Sequence, residues 1–443
     1  MLRERALGES LWESVLPAEL RELPTELGKV DAILDEDRFL VPFRRRLTAT
    51  TGRPTIPIET YLRLMFLKHR YRLGYETLVR EVADSFTWRR FCRIAIDGRV
   101  PDSTTLIKLT KRLGPGLLEE LNEELLRLAV EQRVVRSRRL RVDTTVVESD
   151  TRHPTDSGLC AHAVSRLVGL ARRVERSGLG GGRRVRDRRR AVGKRVRQIS
   201  AALARGGRSR ASVDRLTGEI FERARATVRD ARRLARAARA TLARRAPALD
   251  QLERELDAAE QILAQTAIRL SGQRTIPDRR ISLVDPDARP IRRGKPTRPT
   301  EFGYKARVAD TPEGFVICDI PERGNPPDDQ LLDGVLAKAR RARLPLRTVF
   351  ADRGFGTLGA DETLRTHAIH DVVIPRRGNA APIERTRSWR RRYRFRNGCE
   401  ARISQLKRNG LTRTRLRGLA GAQTWVGGIT LAHNLQRLAT LTT

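Results

Sequence analysis

Closely spaced cysteines are missing from this sequence. The four cysteines are scattered along 443 residues without a CxxC pair: Cys92, Cys160, Cys318 and Cys399. Four scattered cysteines in a chain of this length, without a CxxC pair, indicate neither a disulfide framework nor a zinc ribbon and fit a reducing compartment. His153, Cys160 and His162 form a loose cluster, but they lack a fourth ligand and match no standard zinc finger. We therefore expect no structural zinc.

Long apolar runs are missing as well. No uninterrupted apolar stretch of about 18 residues occurs, and the N-terminus carries no apolar segment of the signal-peptide type. The sequence therefore predicts neither a membrane span nor export. We expect a soluble intracellular protein.

Acidic residues are scarce relative to basic ones. The chain has 90 Lys and Arg against 53 Asp and Glu, which gives a formal net charge of +37. Such a charge repels itself in a compact fold and far exceeds what solubility requires, so a polyanion such as nucleic acid is the expected partner. The basic residues are concentrated between Val164 and Pro247, where 26 Lys and Arg stand against 6 Asp and Glu.

The chain divides into regions that differ in composition and in the spacing of their apolar residues. Residues 1–135 show apolar residues at helical spacing and predict a helical N-terminal domain that binds DNA or dimerises. A break at Leu73-Gly74-Tyr75 fits a helix-turn-helix, but a plain helical bundle needs the same spacing, so both interpretations stay open. Residues 155–298 predict a helical, coiled-coil-like insertion with an Arg-rich face. Its alternative is a partly disordered basic arm from Arg183 to Arg210.

The remaining residues, 136–154 and 299–443, predict an α/β core. Residues Arg139–Glu148 alternate as a strand does, and two further strands are predicted at Phe302–Val308 and Gly314–Ile320. A helix, the strand Leu346–Asp352, a second helix, a strand at 371–375 and a helix from Arg394 to Lys407 follow. Without the insertion, the predicted order is β-β-β-α-β-α-β-α.

Three carboxylates stand at the ends of different elements of this core. Asp143 lies on the first strand, Asp352 closes the strand Val349–Asp352, and Glu400 lies on the last helix. Three other acids are rivals that rank lower: Glu148, Asp150 and Asp319. Glu148 is five residues beyond Asp143 and therefore points to the opposite face of a strand.

Glu400 belongs to a pattern of four residues. Tyr393, Arg396, Glu400 and Lys407 fall at offsets of 0, 3, 7 and 14, which at about 100° per residue places them within a roughly 60° sector of one helix. That face combines an aromatic, two cations and a carboxylate. The combination suits a metal site that acts on a phosphodiester, because the carboxylate can hold Mg²⁺ while Arg and Lys hold phosphate oxygens.

Together with Val142-Asp143-Thr144-Thr145 and Ala351-Asp352-Arg353-Gly354-Phe355, this Y-x2-R-x3-E-x6-K pattern resembles the bacterial insertion-sequence DDE transposases. The resemblance implies an α/β fold with a ribonuclease H-like mixed sheet core, preceded by a helical N-terminal domain to which residues 30–130 are similar. The large Arg-rich insertion departs from simpler relatives.

The resemblance also implies roles for single residues. Asp143, Asp352 and Glu400 are expected to be catalytic and to bind two Mg²⁺ ions per active site, with Mn²⁺ able to substitute. The expected DNA contacts come from four residues: Tyr393, Arg396, Lys407 and Trp389. For Trp389, stacking on an unpaired base competes with ordinary core packing.

The implied activity is Mg²⁺-dependent DNA cleavage and strand transfer at the terminal inverted repeats of an insertion sequence. The implied partner is double-stranded DNA, bound by a homodimer or higher homo-oligomer in the bacterial cytoplasm. Two alternatives stay open, a non-catalytic DNA-binding protein derived from a transposase and a plain metal-dependent nuclease. The presence of all three acids favours the transposase.

Overall fold

The computed structural model describes residues 2–5, 17, 21–47, 54–204, 210–241, 246–273, 275–293 and 299–442. The chain forms two compact units. The core unit comprises Met1–Asp150 and Tyr304–Thr443, and the insert unit comprises Thr151–Gly303. Each unit encloses a hydrophobic core of its own. The finer division into a separate N-terminal domain, a catalytic core and an insertion stays a prediction.

The core unit begins with helices, as the sequence predicts. Their bounds are α1 Thr25–Leu34, α2 Val41–Arg44, α3 Ile58–Arg70, α4 Tyr75–Asp84, α5 Phe86–Phe91 and α6 Ser103–Glu131. The carboxylate of Asp102 accepts a hydrogen bond from the backbone N–H of Thr104 at 2.8 Å and so caps α6. Helix α6 bends at Gly114, whose φ is 69°, directly before Pro115.

The strands of the chain are β1 Arg139–Glu148, β2 Arg289–Arg292, β3 Thr300–Asp310, β4 Val316–Asp319, β5 Thr348–Phe350 and β6 Asp371–Val373. In the core unit the sheet runs β3-β1-β5-β6, and β4 pairs antiparallel with β3. Strand β2 pairs antiparallel with residues 300–303 of β3, inside the insert unit. The sheet is therefore mixed.

Strand β1 is the centre of this sheet. Residues 140–147 are all buried, which is typical of a strand covered on both faces. Strands β1 and β5 run parallel, with Arg141 opposite Phe350. Asp143 and Asp352 each follow two residues later, so both lie level with the carboxyl end of β5, while β1 itself continues to Glu148 and Asp143 does not close its strand as the sequence predicts.

The insert unit is a packed group of helices: α7 Asp156–Arg176, α8 Arg189–Ala204, α9 Arg210–Ala240 and α10 Pro247–Leu270. Helices α7, α9 and α10 pack against one another, and α8 packs against α7 and α9. The apolar seam predicted on α10 is buried throughout: Leu249, Leu252, Leu256, Ala259 and Leu263. The alternative of a disordered arm does not hold for residues 189–204, which form α8, while residues 205–209 lie outside the described ranges.

Five further helices complete the core unit within the described residues: α11 Leu332–Arg341, α12 Leu358–Thr366, α13 Arg387–Tyr393, α14 Asn397–Leu406 and α15 Gly418–Leu441. Helix α15 packs against α6, α3, α1 and β4. None of the helices in the described ranges is both long enough and apolar enough to cross a membrane.

The region predicted as one helix from Arg394 to Lys407 is not continuous. A 3₁₀ turn covers Arg394–Arg396, α14 follows, and a π-helical turn covers Lys407–Leu411. Gly410 within that turn has a φ of 112°, a left-handed conformation that glycine adopts without steric cost. The predicted single helical face is therefore wrong in detail, because its residues lie on consecutive segments of different pitch.

Lys68 on α3 is a buried cation near the junction with α15. Its ammonium lies 4.7 Å from the ring centre of Tyr75 and 4.6 Å from that of Trp425, and among the residues that the structure describes it has no hydrogen-bond partner. Burial, with a smaller contribution from Arg415, lowers the pKa of Lys68 to about 7.

We expect this lysine to make the stability of the protein depend on pH. Between pH 7 and the unfolded pKa of about 10.4 the unfolded chain binds more protons at Lys68, so stability rises with pH by at most roughly 1.4 kcal/mol per unit. Lys68→Met should be more stable than wild type at pH 6, and the difference should shrink at pH 9.5. Urea unfolding at both pH values measures this. The same substitution at the exposed Lys111 is the control, and a difference independent of pH would contradict the assignment.

Candidate active site

Asp143 is held at the centre of the sheet by two hydrogen bonds. Its side chain is 10% exposed, since β1 is covered on both faces. The Oδ1 atom accepts from the backbone N–H of Thr144 at 2.7 Å, and Oδ2 accepts from a guanidinium nitrogen of Arg396 at 2.9 Å. The carboxylate is thus oriented from both sides.

Asp352 follows β5 and opens a 3₁₀ turn. Its Oδ1 accepts from the backbone N–H of Gly354 at 2.8 Å. The next residue, Arg353, donates to the backbone carbonyl of Arg376 at 2.6 Å and so fixes the turn to the segment after β6. A Cβ at Gly356 would lie 2.0 Å from the carbonyl oxygen of Pro375. The turn after β5 and the segment after β6 can therefore approach this closely only because residue 356 is glycine.

Arg396 connects the first and the last of the predicted carboxylates. One of its terminal nitrogens donates to Asp143 and the other to Glu400, each at 2.9 Å. Because a guanidinium is a rigid fork, the two bound oxygens lie within about 8 Å of each other. Burial lowers the pKa of Arg396, but the negative charges of Asp143 and Asp352 and the phenol of Tyr393 outweigh it and raise the pKa.

Tyr393 lies beside the same carboxylates. Burial raises the pKa of its phenol, Arg396 lowers it by less, and Asp352 and Asp143 raise it further, so the hydroxyl keeps its proton at neutral pH. Trp389 stacks on Tyr393 with ring centres 4.9 Å apart and an angle of 15° between the planes. The half-buried Trp389 thus contacts another aromatic ring and lies outside the hydrophobic cores, and its stacking on DNA stays a prediction.

Lys407 lies farther from the carboxylates along the chain. It opens the π-helical turn seven residues after Glu400, which corresponds to about 10 Å of helical rise. The structure thus gathers Tyr393, Arg396 and Glu400 near the two aspartates, while Lys407 begins the next segment.

A buried ion pair fastens this segment to the sheet. The guanidinium of Arg141 on β1 binds the fully buried carboxylate of Asp310 on β3, with Nε and Oδ1 3.0 Å apart. It also lies 4.8 Å from the ring centre of Phe395. A Cβ at Gly398 would sit 1.7 Å from a guanidinium nitrogen of Arg141, so this position admits only glycine while Arg141 keeps its place. Cys399 is fully buried, and burial raises the pKa of its thiol well above the usual value, as expected for a packing residue.

Sequence reasoning missed three residues of the site: Asp328, Lys305 and Thr144. The hydroxyl of Thr144 donates to Asp328 at 3.0 Å, and the ammonium of Lys305 lies 2.7 Å from the same oxygen. For Asp328, the sequence shows only the acid pair Asp328-Asp329 ahead of α11, and such a pair is typical of an ordinary helix start.

The rival acids are occupied by other partners. Asp319 binds Arg307 with Oδ2 2.8 Å from a guanidinium nitrogen, and it also pairs with Lys338. Glu148 lies 3.2 Å from Arg413. These ion pairs give Asp319 and Glu148 structural roles. Asp143 therefore stays the preferred candidate for a catalytic aspartate.

The carboxylates suit a hard divalent cation by their chemistry. In the ranges that the structure describes, however, no group of three or more His, Cys, Asp or Glu side chains is spaced to hold a metal ion. The guanidinium of Arg396 stands between Asp143 and Glu400. The donor set therefore fits Mg²⁺ in kind, and the role of the three acids as ligands stays a prediction.

Two family models match this chain. A transposase domain (DUF772) matches residues 17–112, and a transposase DDE domain matches residues 276–435. Together the two ranges span more than half of the sequence. This chain belongs to the DDE transposases.

The fold agrees with that family. A mixed sheet with a helical N-terminal region is consistent with the ribonuclease H-like core of a DDE domain, which confirms the predicted fold class. Asp352 and Glu400 lie inside the range matched by the DDE model, whereas Asp143 lies outside it. Asp143 is linked to Glu400 by their shared contact with Arg396 and to Asp352 by the register of β1 and β5.

Among curated proteins, this transposase is similar to an uncharacterized protein, ORF8 in the nfe locus, of Rhizobium meliloti. The two are 33% identical over 127 residues, which is 28% of this chain and 61% of the relative. The chain thus spans less than two thirds of that relative's length. No solved structure matches this chain.

Proposed function

We propose that this transposase cleaves DNA and joins strands at the terminal inverted repeats of its own insertion sequence. One observation carries the proposal. The parallel register of β1 and β5 puts Asp143, on β1, and Asp352, just past the end of β5, at corresponding positions, and Arg396 donates hydrogen bonds to both Asp143 and Glu400. These links between acids that are far apart in sequence support them as the catalytic set.

Asp143, Asp352 and Glu400 would hold Mg²⁺, or Mn²⁺ in its place. Bound at these carboxylates, the ions would supply a Lewis acid for the scissile phosphate and would lower the pKa of the attacking water or 3′-hydroxyl. The protein needs no covalent intermediate with DNA for this chemistry.

The side chains around the acids bind and orient the DNA. The phenol of Tyr393, which keeps its proton, donates a hydrogen bond to a phosphate oxygen. Arg396 is charged and 14% exposed, so its fork can hold a phosphate near the carboxylates. Lys407 contacts the backbone about one and a half turns farther along, and the stacked pair of Trp389 and Tyr393 offers an aromatic surface to a displaced base.

The wider charge distribution supports a DNA partner. Arg229, Arg233 and Arg236 recur at intervals of four and three on α9, are exposed, and pair with no acid in the described residues. By contrast, Arg232 and Arg239 on the same helix bind acids of α10, with the closest nitrogen of Arg232 2.7 Å from Glu260. Arginines left without acids on one face of a helix suit a phosphate backbone. We further propose a homodimer or higher homo-oligomer, because two element ends must be processed together.

The direct test uses end-labelled DNA that carries the repeats flanking the coding sequence. With Mg²⁺ we expect nicking at the repeat end and joining of the new 3′ end to target DNA, and binding should weaken steeply between 50 and 200 mM salt. Scrambled repeats and chelation of the metal are the controls. Cleavage without joining would indicate a plain nuclease, and binding without cleavage would indicate the non-catalytic alternative.

A further inference from the structure

Asp328 stands between the residues that orient the two catalytic aspartates. One oxygen, Oδ1, accepts from the hydroxyl of Thr144 at 3.0 Å, and the backbone N–H of Thr144 itself donates to Asp143. The other oxygen, Oδ2, lies 2.8 Å from the position that a Cβ of Gly354 would take, and Oδ1 of Asp352 lies 3.0 Å from the same point. The carboxylates of Asp328 and Asp352 therefore come within about 6 Å of each other across a residue that has no side chain.

A cation on the sheet holds Asp328 in this position. The ammonium of Lys305 on β3 lies 2.7 Å from Oδ1 of Asp328 and also donates to the carbonyl of Pro326 at 2.6 Å. The Lys305 side chain is only 10% exposed, so the lysine is largely shielded from bulk water, while the Asp328 side chain is 28% exposed. Its two donor contacts fix the ammonium, and through it the carboxylate.

Ordinary helix capping does not account for Asp328. It precedes the 3₁₀ turn Asp329–Leu331, but its side chain makes no capping hydrogen bond to the backbone. The carboxylate instead turns toward β1 and toward the turn after β5. Placing a third acid near two others costs electrostatic free energy, which this arrangement offsets with a nearly buried lysine.

We propose that Asp328, fixed by Lys305, is a positioning residue of the active site that sets the orientation and spacing of Asp143 and Asp352. It acts on Asp143 through Thr144, and on Asp352 by occupying the space beside Gly354, whose backbone N–H donates to Asp352. Residues that orient the ligands of a metal site in this way typically change metal affinity 10- to 100-fold when they are replaced. This inference rests on the proposed function, because it presupposes that the two aspartates bind a divalent cation.

The test measures binding of Mn²⁺ to the whole protein without DNA, from the electron paramagnetic resonance signal of the free ion. We expect Asp328→Asn and Thr144→Val to weaken Mn²⁺ binding about 10- to 100-fold. Thr144→Ser keeps the hydroxyl and should bind as wild type does. Asp333→Asn is the matched control, because Asp333 is 70% exposed and lies five residues farther on, on α11.

DNA cleavage provides a second measurement. For Asp328→Asn and Thr144→Val, the Mn²⁺ concentration at half-maximal rate should rise by the same factor, and saturating Mn²⁺ should restore much of the rate. Thr144→Val tests the link without changing any charge, so it decides the matter if Asp328→Asn fails to fold.

The outcomes separate the two proposals. If wild type binds Mn²⁺ and both variants bind it equally well, the role of Asp328 is overturned and the proposed function stands. If wild type binds no Mn²⁺, the proposed function is overturned and this inference with it. Weaker binding by Thr144→Ser as well would also contradict it, because the hydroxyl is then not what matters.

Discussion

We expect that replacing Asp143 or Asp352 with Asn will lower DNA cleavage by at least about 1,000-fold, while DNA affinity stays within about twofold of wild type. Asn has the shape of Asp and can still accept the hydrogen bond that Thr144 or Gly354 donates. It lacks the negative charge that a divalent cation requires. DNA cleavage should therefore be lost, while the surfaces that bind DNA are unchanged.

The double variant sharpens this prediction. If the two aspartates act as one unit, Asp143→Asn/Asp352→Asn should be no worse than either single variant. Asp150→Asn is the control, because Asp150 is a nearby acid of the sequence that is 63% exposed. Cleavage is measured on end-labelled repeat DNA, and affinity by gel shift at fixed salt. Full cleavage by Asp143→Asn, or loss of activity in Asp150→Asn, would remove Asp143 from the site.

We expect Asp310→Ala to destabilise the core unit by about 3 to 5 kcal/mol. Asp310 is fully buried and binds Arg141, whose side chain is 9% exposed, so removal of the carboxylate strands a cation in the interior. The pair also keeps Arg141 against Phe395, beside Arg396. The segment carrying Glu400 should then loosen, and cleavage should fall more than stability alone explains.

Urea unfolding of wild type and variant gives the free energy difference. The matched control is Asp37→Ala, which removes an acid from Arg44 at the surface, where the Asp37 side chain is 63% exposed and water screens the pair, so we expect a much smaller loss of stability. Gly398→Ala is a second test of the same pair, because its methyl group would displace the Arg141 guanidinium from Asp310. If Asp310→Ala lowers the free energy of unfolding no more than Asp37→Ala does, the buried pair adds no stability.

Elements with a clear periodicity were predicted well from the sequence. Strand β1 alternates over ten residues and was predicted at its observed bounds, Arg139–Glu148. The apolar seam of α10 was equally clear. The last helix was predicted as one piece, because the 3₁₀ and π-helical turns around α14 preserve roughly the same spacing of residue types while they change the pitch.

The sequence alone pointed to the candidate residues Asp143, Asp352 and the Tyr393 to Lys407 pattern, because the two aspartates lie on or directly after predicted strands and the others share a helical spacing. Only the tertiary structure revealed Asp328 and Lys305 beside them, and the guanidinium of Arg396 between two acids. The physical reason is the distance along the chain over which a pattern is informative. Periodicity indicates contacts between residues close in sequence. Strand pairing decides which distant elements meet, here β1, β3, the turn after β5 and the start of α11.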